Sequence, residues 1–142
     1  MTSLSILVRR IDAAWSNAGV SERLRPTSSD WARADVVCGS VPVGLRALLD
    51  SCGGMPLGST DAYEIRFWPA NELELATRFL QDFEASTDCV LFADFLVQSH
   101  FYGIGVEKGD VCILGGPVTT TVSETFEEFL ELYLRGSRSL WG

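Results

Sequence analysis

The sequence is poor in the residues from which metal sites and nucleophilic sites are built. It contains one histidine, His100, and four cysteines among 142 residues. No two cysteines form a Cys-x-x-Cys pair, and they stand at Cys38, Cys52, Cys89 and Cys112. A structural zinc site needs four closely spaced ligands, and a nucleophilic site needs a base beside the nucleophile. We therefore expect no bound metal, no cofactor and no enzymatic activity, with the thiols buried and reduced.

The sequence also lacks long hydrophobic runs. Few apolar residues precede Arg9 and Arg10, which is too short a stretch for the core of a signal peptide. No other stretch approaches the roughly 20 apolar residues that a membrane span requires. We therefore expect a cytoplasmic protein that does not contact a membrane.

The composition favours one globular domain over residues 1–142, since 46% of the residues are hydrophobic and 21% are charged. The net charge is −8, and it is unevenly distributed. Residues 1–46 hold six arginines and four acids, whereas residues 47–142 hold five bases and fifteen acids. An acidic surface repels nucleic-acid phosphates and attracts basic proteins, although the charge can equally serve solubility alone.

The first half of the chain shows helical and strand periodicity in turn. Apolar spacing over residues 4–18 predicts a helix with Trp15 in the core, and residues 21–40 are predicted to be a loop held to the body by Trp31. A second helix is predicted to begin at Pro42 and to end before Gly53. Alternation over residues 63–68 then predicts a strand.

In the second half, a strand-rich region lies between two predicted helices. The first is an amphipathic helix capped by Asn71 and extending to Phe83. Strands are predicted over residues 90–93, 95–106, 111–114 and 118–122, with a possible bend at Asp94. The last helix begins near Ser123, where Thr125 and Glu128 have capping-box spacing, and Trp141 is expected to fold back. This order predicts an α+β domain with a mixed, mainly antiparallel sheet flanked by about four helices.

The sequence offers one weak catalytic arrangement, in which His100 would act with Asp94 and with Cys89 or Ser99. If residues 95–106 form one regular strand, Ser99 and His100 point to opposite faces and do not converge. Other nucleotide-binding, phosphate-binding and metal-binding motifs are missing. The segment Gly103-Ile104-Gly105, for example, lacks the third glycine of a dinucleotide fingerprint.

Several short segments, in this order and spacing, resemble the SMI1/KNR4 family, also called the SUKH superfamily. They are residues 40–54, Phe67-Trp68-Pro69 with Glu72-Leu73, residues 90–95 with Tyr102-Gly103-Ile104, Gly109-Asp110-Val111, and residues 123–130. The resemblance implies a role in protein binding. Bacterial members commonly act as immunity proteins that bind a cognate toxin, often a nuclease, while fungal members act in cell-wall regulation.

We therefore expect a non-catalytic domain that neutralises a basic toxin. The alternatives are a regulatory scaffold or ligand-binding domain without a toxin partner, and a small hydrolase that uses His100. Aromatic residues flanked by charge are typical of interface hot spots, so eight residues are candidate contacts. They are Glu64, Arg66, Trp68, Glu72, Glu74, Gln98, His100 and Tyr102. The alternative for Trp68 and Tyr102 is a place in the core, because a sheet covered on both faces buries both sides of its strands.

Overall fold

The computed structural model describes residues 2–80, 88–95, 97–115 and 119–140. Its helices are α1 (Leu4–Asn17), α2 (Ser28–Cys38), α3 (Val43–Cys52), α4 (Ala76–Phe79) and α5 (Phe126–Leu134). Its strands are β1 (Ile65–Phe67), β2 (Glu74–Leu75), β3 (Cys89–Phe95), β4 (His100–Gly105), β5 (Val111–Leu114) and β6 (Thr120–Ser123). Two 3-10 turns cover Ala70–Glu72 and Arg138–Leu140. These elements confirm the predicted α+β fold.

The six strands form one sheet. Five of them follow the order β1-β3-β4-β5-β6, and β2 pairs with the start of β3, beyond the part that pairs with β1. Every pairing between the described strands is antiparallel. Consecutive strands β3 to β6 are therefore neighbours, which is the arrangement that short connections favour. The strand predicted over residues 111–114 has the bounds of β5.

Aromatic side chains fill both sides of the sheet. On the side of α1, α3 and α5, the ring of Phe67 lies 5.1 Å from that of Trp15, and Phe129 lies 5.3 Å from Phe92. On the other side, the rings of Trp68 and Phe101 meet at 6.0 Å. The helix predictions for α1, α3 and α5 are confirmed because each buries the apolar side chains that their spacing placed on one face.

The prediction of a loop over residues 21–40 is wrong, because α2 occupies most of it. The Thr27 side chain accepts a hydrogen bond from the Asp30 N–H, and Asp30 accepts one from the Thr27 N–H, so the helix begins with a complete capping box. The expected anchor is present, since Trp31 is 8% exposed and its Nε1–H donates to Asp50 Oδ1 at 2.8 Å.

The helix predicted from Asn71 is also wrong. The segment instead forms a 3-10 turn, the short strand β2 and the single turn α4. In β2, Glu74 and Leu75 pair with Leu91 and Val90 of β3, so sheet pairing overrides the helical pattern. The predicted end of that helix, Phe83, lies outside the described residues, as does Trp141.

The break between β3 and β4 comes after Phe95 rather than at Asp94. Phe95 pairs with His100, and the described residues 97–99 form a turn between the two strands. The sequence predicted that Gln98 shares a strand face with His100 and Tyr102. In the structure Gln98 lies in a turn instead.

Candidate functional site

Arg66, predicted to lie on the polar face of its strand, is buried and 4% exposed. Its guanidinium donates to both carboxylate oxygens of Glu72, at 3.0 and 2.6 Å, and its Nε–H donates to the Pro56 carbonyl. Such a bidentate pair holds both side chains in place. Arg66 therefore anchors the β1 region from inside and offers no charge to a partner.

Trp68 and Tyr102, predicted as aromatic contacts, are both in the core. Trp68 is 2% exposed and donates from Nε1 to the buried Asp94 carboxylate at 2.6 Å. Tyr102 is fully buried and its hydroxyl donates to the Leu140 carbonyl at 2.5 Å. The structure therefore agrees with the alternative for Trp68 and Tyr102, a place in the core.

Glu74, a predicted contact at the rim, is partly buried and is also paired within the chain. Its carboxylate lies 3.4 Å from an Arg33 nitrogen and 3.8 Å from Arg78 Nε. Glu72 is occupied by Arg66 in the same way. Neither carboxylate thus presents an uncompensated charge to a basic partner.

The other three predicted contacts, Glu64, Gln98 and His100, meet at one end of the sheet. Ile65 pairs with Phe95, and Phe95 with His100, which places residue 64 beside the turn of residues 97–99. We call this region, residues 64 and 97–100, the hairpin end. The described non-glycine residues with positive φ are all found here, namely Glu64 (63°), Val97 (52°) and Gln98 (67°). Their partner-binding role stays a prediction.

Ser99 and His100 do converge, contrary to the expectation from a regular strand, because Ser99 lies in the turn. Ser99 Oγ is 3.0 Å from His100 Nδ1. The same hydroxyl lies 3.0 Å from the Phe95 carbonyl, and when it donates its one proton there, Nδ1 is the donor in the contact with Oγ. A general base acting on Ser99 would instead have to accept the hydroxyl proton, so the carbonyl competes with the imidazole for it.

Asp94, the acid that would orient His100, is engaged elsewhere. Its two carboxylate oxygens accept from Trp68 Nε1 and from the Gln98 N–H. The described contacts therefore give the imidazole no carboxylate partner. The three residues of the predicted catalytic set do not form a triad in this geometry.

The cysteines are poor nucleophiles and poor ligands. Burial raises the pKa of Cys38 and of Cys52 to about 11, and that of Cys89 to about 12, and it also raises the pKa of the half-buried Cys112. In the part of the chain that the structure describes, no group of three or more His, Cys, Asp or Glu residues is placed to hold a metal ion. No helix in that same part has both the length and the apolar character to cross a membrane.

At the opposite end of the sheet from the hairpin end, acidic residues from three segments come together. The Val106 N–H donates to the Asp88 carbonyl, and Val111 pairs with both Ile104 and Ser123, so these segments end side by side. We call this region the acidic end; its carboxylates are Asp88, Glu107, Asp110, Glu124, Glu127 and Glu128. None of the six belongs to an ion pair among the described residues, and Lys108 is the cation of the same hairpin.

A groove of about 400 Å³ lies at the acidic end, between the connection from α2 to α3 and the β4–β5 hairpin. Its walls are glycine backbone and apolar side chains, from Cys38, Gly39, Ser40, Pro42, Ile104, Gly105, Val106 and Gly109. Two valines are exposed at this end, Val43 at 83% and Val106 at 49%. A Cβ added to Gly44 would lie 2.9 Å from the Phe126 ring, so the start of α3 abuts the start of α5 and its glutamates.

Sequence reasoning missed the acidic end because its members are far apart along the chain. The signals available were the Glu107-Lys108-Gly109-Asp110 turn and the acids after Thr125, whose side chain caps α5 by accepting from the Glu128 N–H. Each signal by itself indicates only a turn or a helix start. The register of β4, β5 and β6 is what joins them.

Comparison of this chain with protein-family models, with curated proteins and with solved structures finds no match.

Proposed function

We propose that this chain is a non-catalytic protein-binding domain that neutralises a basic toxin, in the manner of an immunity protein. The observation that carries the proposal is the acidic end, where six carboxylates and one lysine lie at the same end of the sheet and none of the six belongs to a described ion pair. Like charges held together raise the energy of the free protein. A basic partner relieves that repulsion, so the arrangement favours binding one.

A nuclease toxin supplies the matching chemistry. Its active surface must hold nucleic-acid phosphates, which requires clustered lysines and arginines. An acidic domain docked on that surface excludes the substrate without a reaction of its own, and long-range attraction accelerates the encounter.

The groove at the acidic end supplies an apolar surface for the centre of the interface, which charged residues alone do not provide. Interfaces have an apolar centre with a polar rim, and most of the binding energy comes from a few well-packed side chains. Val106 lines the groove, Val43 follows the lining residue Pro42, and both valines are exposed. The resemblance of the sequence to the SMI1/KNR4 family adds support for a protein-binding role.

The test first identifies a candidate toxin, as a basic protein encoded next to the gene of this chain, and then uses titration calorimetry and a toxicity assay with it. We expect the double variant Glu107→Gln, Glu124→Gln to weaken binding by about tenfold or more, because both carboxylates are exposed at the acidic end. The matched control is Glu22→Gln, Glu131→Gln, which removes two charges outside both the acidic end and the hairpin end and should change the affinity by less than about twofold.

Equal effects of the two double variants would contradict the acidic end as the contact. Binding without protection from toxicity would favour the regulatory scaffold, which could use the same surface without a toxin. Failure of the wild-type chain to bind the neighbouring basic protein would remove the immunity proposal.

A further inference from the structure

The last strand of the sheet, β6, has a free edge. In the described part of the chain it pairs with β5 on one side and with nothing on the other. Thr119, Thr120 and Thr121 are exposed, and residues 119–123 contain neither a charged residue nor a proline. Among the described residues, no strand pairs with the outward main-chain groups of β6.

At the opposite edge of the sheet, main-chain groups of the loop before β1 bond to β1, so the two edges of the described sheet differ. Beside β1, the Asp61 N–H donates to the Ile65 carbonyl at 2.9 Å, and the Met55 N–H donates to the Phe67 carbonyl at 2.8 Å. Proteins usually protect a free edge with lysine, proline or a covering segment, because an open edge pairs with other chains. The chain covers one edge with its own loop and leaves β-branched threonines on the other.

We propose that β6 accepts an extended segment of the basic partner as an added strand, which deepens the function proposed above and rests on it. Main-chain hydrogen bonds supply affinity in this mode, and flanking side chains supply selectivity. Charge complementarity identifies the occupant. The exposed Glu124 follows β6 directly, and the exposed Glu128 comes four residues later in the first turn of α5, so cationic side chains at this end of the added strand are attracted to carboxylates.

A second copy of this chain is the competing occupant, and its charge opposes it. Each copy carries a net charge of −8, and pairing two β6 edges would bring two acidic ends toward one another. Self-pairing would therefore strengthen as salt screens the repulsion. Pairing with a basic strand would weaken under the same conditions, so ionic strength separates the two.

The first experiment uses the folded chain and a synthetic peptide of about ten residues that alternates arginine and valine, a length that matches one strand. NMR is expected to show amide shifts centred on residues 119–123, with slowed hydrogen exchange there. The control peptide has the same side chains but N-methyl groups on alternate residues, which removes its main-chain donors and should weaken binding about tenfold or more. Equal binding of the two peptides, or shifts located elsewhere, would overturn the proposal.

The second experiment uses the neighbouring basic protein and two matched variants. Thr120→Lys places a cation on the free edge, whereas Thr60→Lys adds the same charge at an exposed position before β1. We expect Thr120→Lys to weaken binding by about tenfold and Thr60→Lys by less than about twofold, because only the first blocks the edge.

Equal affinities for the two variants would overturn strand addition while leaving the proposed function intact. If the wild-type chain does not bind the basic protein, the proposed function fails, and the peptide experiment still decides the edge. Sedimentation that shows self-association growing with salt, and lost in Thr120→Lys, would assign the edge to a second copy and overturn the proposal.

Discussion

Val97 combines two features that cost free energy in the isolated protein. Its side chain is 86% exposed, and its φ is +52°, in the left-handed region that a β-branched residue rarely adopts. Such a conformation costs of order 1–2 kcal/mol relative to a right-handed one. The turn is held by hydrogen bonds from the Gln98 N–H to Asp94 at 3.2 Å and from the Ser99 N–H to the Phe95 carbonyl at 3.1 Å, which oppose that cost. Strained residues of this kind cluster at functional sites, which keeps the hairpin end a candidate contact.

We expect Val97→Gly to raise the free energy of unfolding by up to about 1 kcal/mol, because glycine adopts positive φ without steric cost. The matched control is Val36→Gly, since Val36 is 84% exposed but lies in α2. That change should lower stability by a few tenths of a kcal/mol to about 1, as glycine disfavours a helix. Chemical denaturation measures both. Destabilisation by Val97→Gly would show that the turn is not strained.

Asp61 is the centre of a buried polar cluster that joins three parts of the chain. Its carboxylate accepts from the Tyr63 and Ile65 N–H groups at 2.8 and 3.0 Å and from the Tyr133 hydroxyl. Tyr133 in turn accepts from Trp15 Nε1 at 2.8 Å. Burial raises the pKa of Asp61 above its ordinary value of 3.8, although its hydrogen bonds oppose that change.

The raised pKa gives a signed pH prediction. Between 3.8 and its higher folded value, Asp61 binds more protons when folded than when unfolded, so stability contributed by this group falls as pH rises. Asp61→Asn cannot titrate. The unfolding free energy of wild type minus that of the variant should therefore decrease as pH rises through this window and level off above it. Denaturation at a series of pH values measures the difference, and an increase with pH would contradict the prediction.

At the scale of elements, α2 shows how a helix can form with little amphipathic pattern. Its buried side chains are Trp31, Ala34 and Cys38, which are too few and too unlike to mark a face by sequence. Its start is defined by the reciprocal hydrogen bonds of Thr27 and Asp30. Arg33 then ties the helix to the 3-10 region by donating to the Leu73 carbonyl at 3.0 Å.

We expect Thr27→Ala to lower the free energy of unfolding by about 1 kcal/mol, because it removes the side-chain cap from the Asp30 N–H. Thr60→Ala is the control, since Thr60 is an exposed loop residue. It should have an effect within about 0.5 kcal/mol. Thermal denaturation of the three proteins compares them. Equal melting temperatures would show that the cap does not stabilise α2.

At the scale of the whole molecule, charge is separated along the sheet. The acidic end holds six carboxylates, whereas Arg135 follows the last residue of α5, near the hairpin end. A Cβ added to Gly136 would lie 2.9 Å from the Tyr63 hydroxyl, which places the end of α5 beside residue 64. The charge distribution along the sheet is therefore uneven, and a basic partner is attracted to the acidic end.

This direction predicts a dependence on salt. We expect the association rate with the basic partner to fall steeply between low and physiological ionic strength, because screening shortens the reach of the acidic end. The dissociation rate should change much less, since it depends on contacts already formed. Stopped-flow mixing at several salt concentrations measures both. An association rate independent of salt would exclude steering by the acidic end.

Sequence alone determined the elements in which local pattern and tertiary packing agree. Helices α1, α3 and α5 carry apolar residues at helical spacing, and burial of that face stabilises the helix that the spacing predicts. The sequence also determined the lack of a zinc-ligand pattern and the −8 net charge, since composition does not depend on folding. The sequence also predicted β5, from a short apolar run bounded by turn residues. Here too the local pattern and the packing agree.

Only the tertiary structure decided which polar residues are free. Arg66, Glu72 and Glu74 look like a charged surface in the sequence, but their ion pairs are closed within the molecule. The acidic end shows the reverse, because only the register of β3 to β6 brings Asp88, Glu107 and Glu124 to the same end of the sheet. Pairing between distant strands is fixed by the packing of the whole sheet, and no local pattern encodes it.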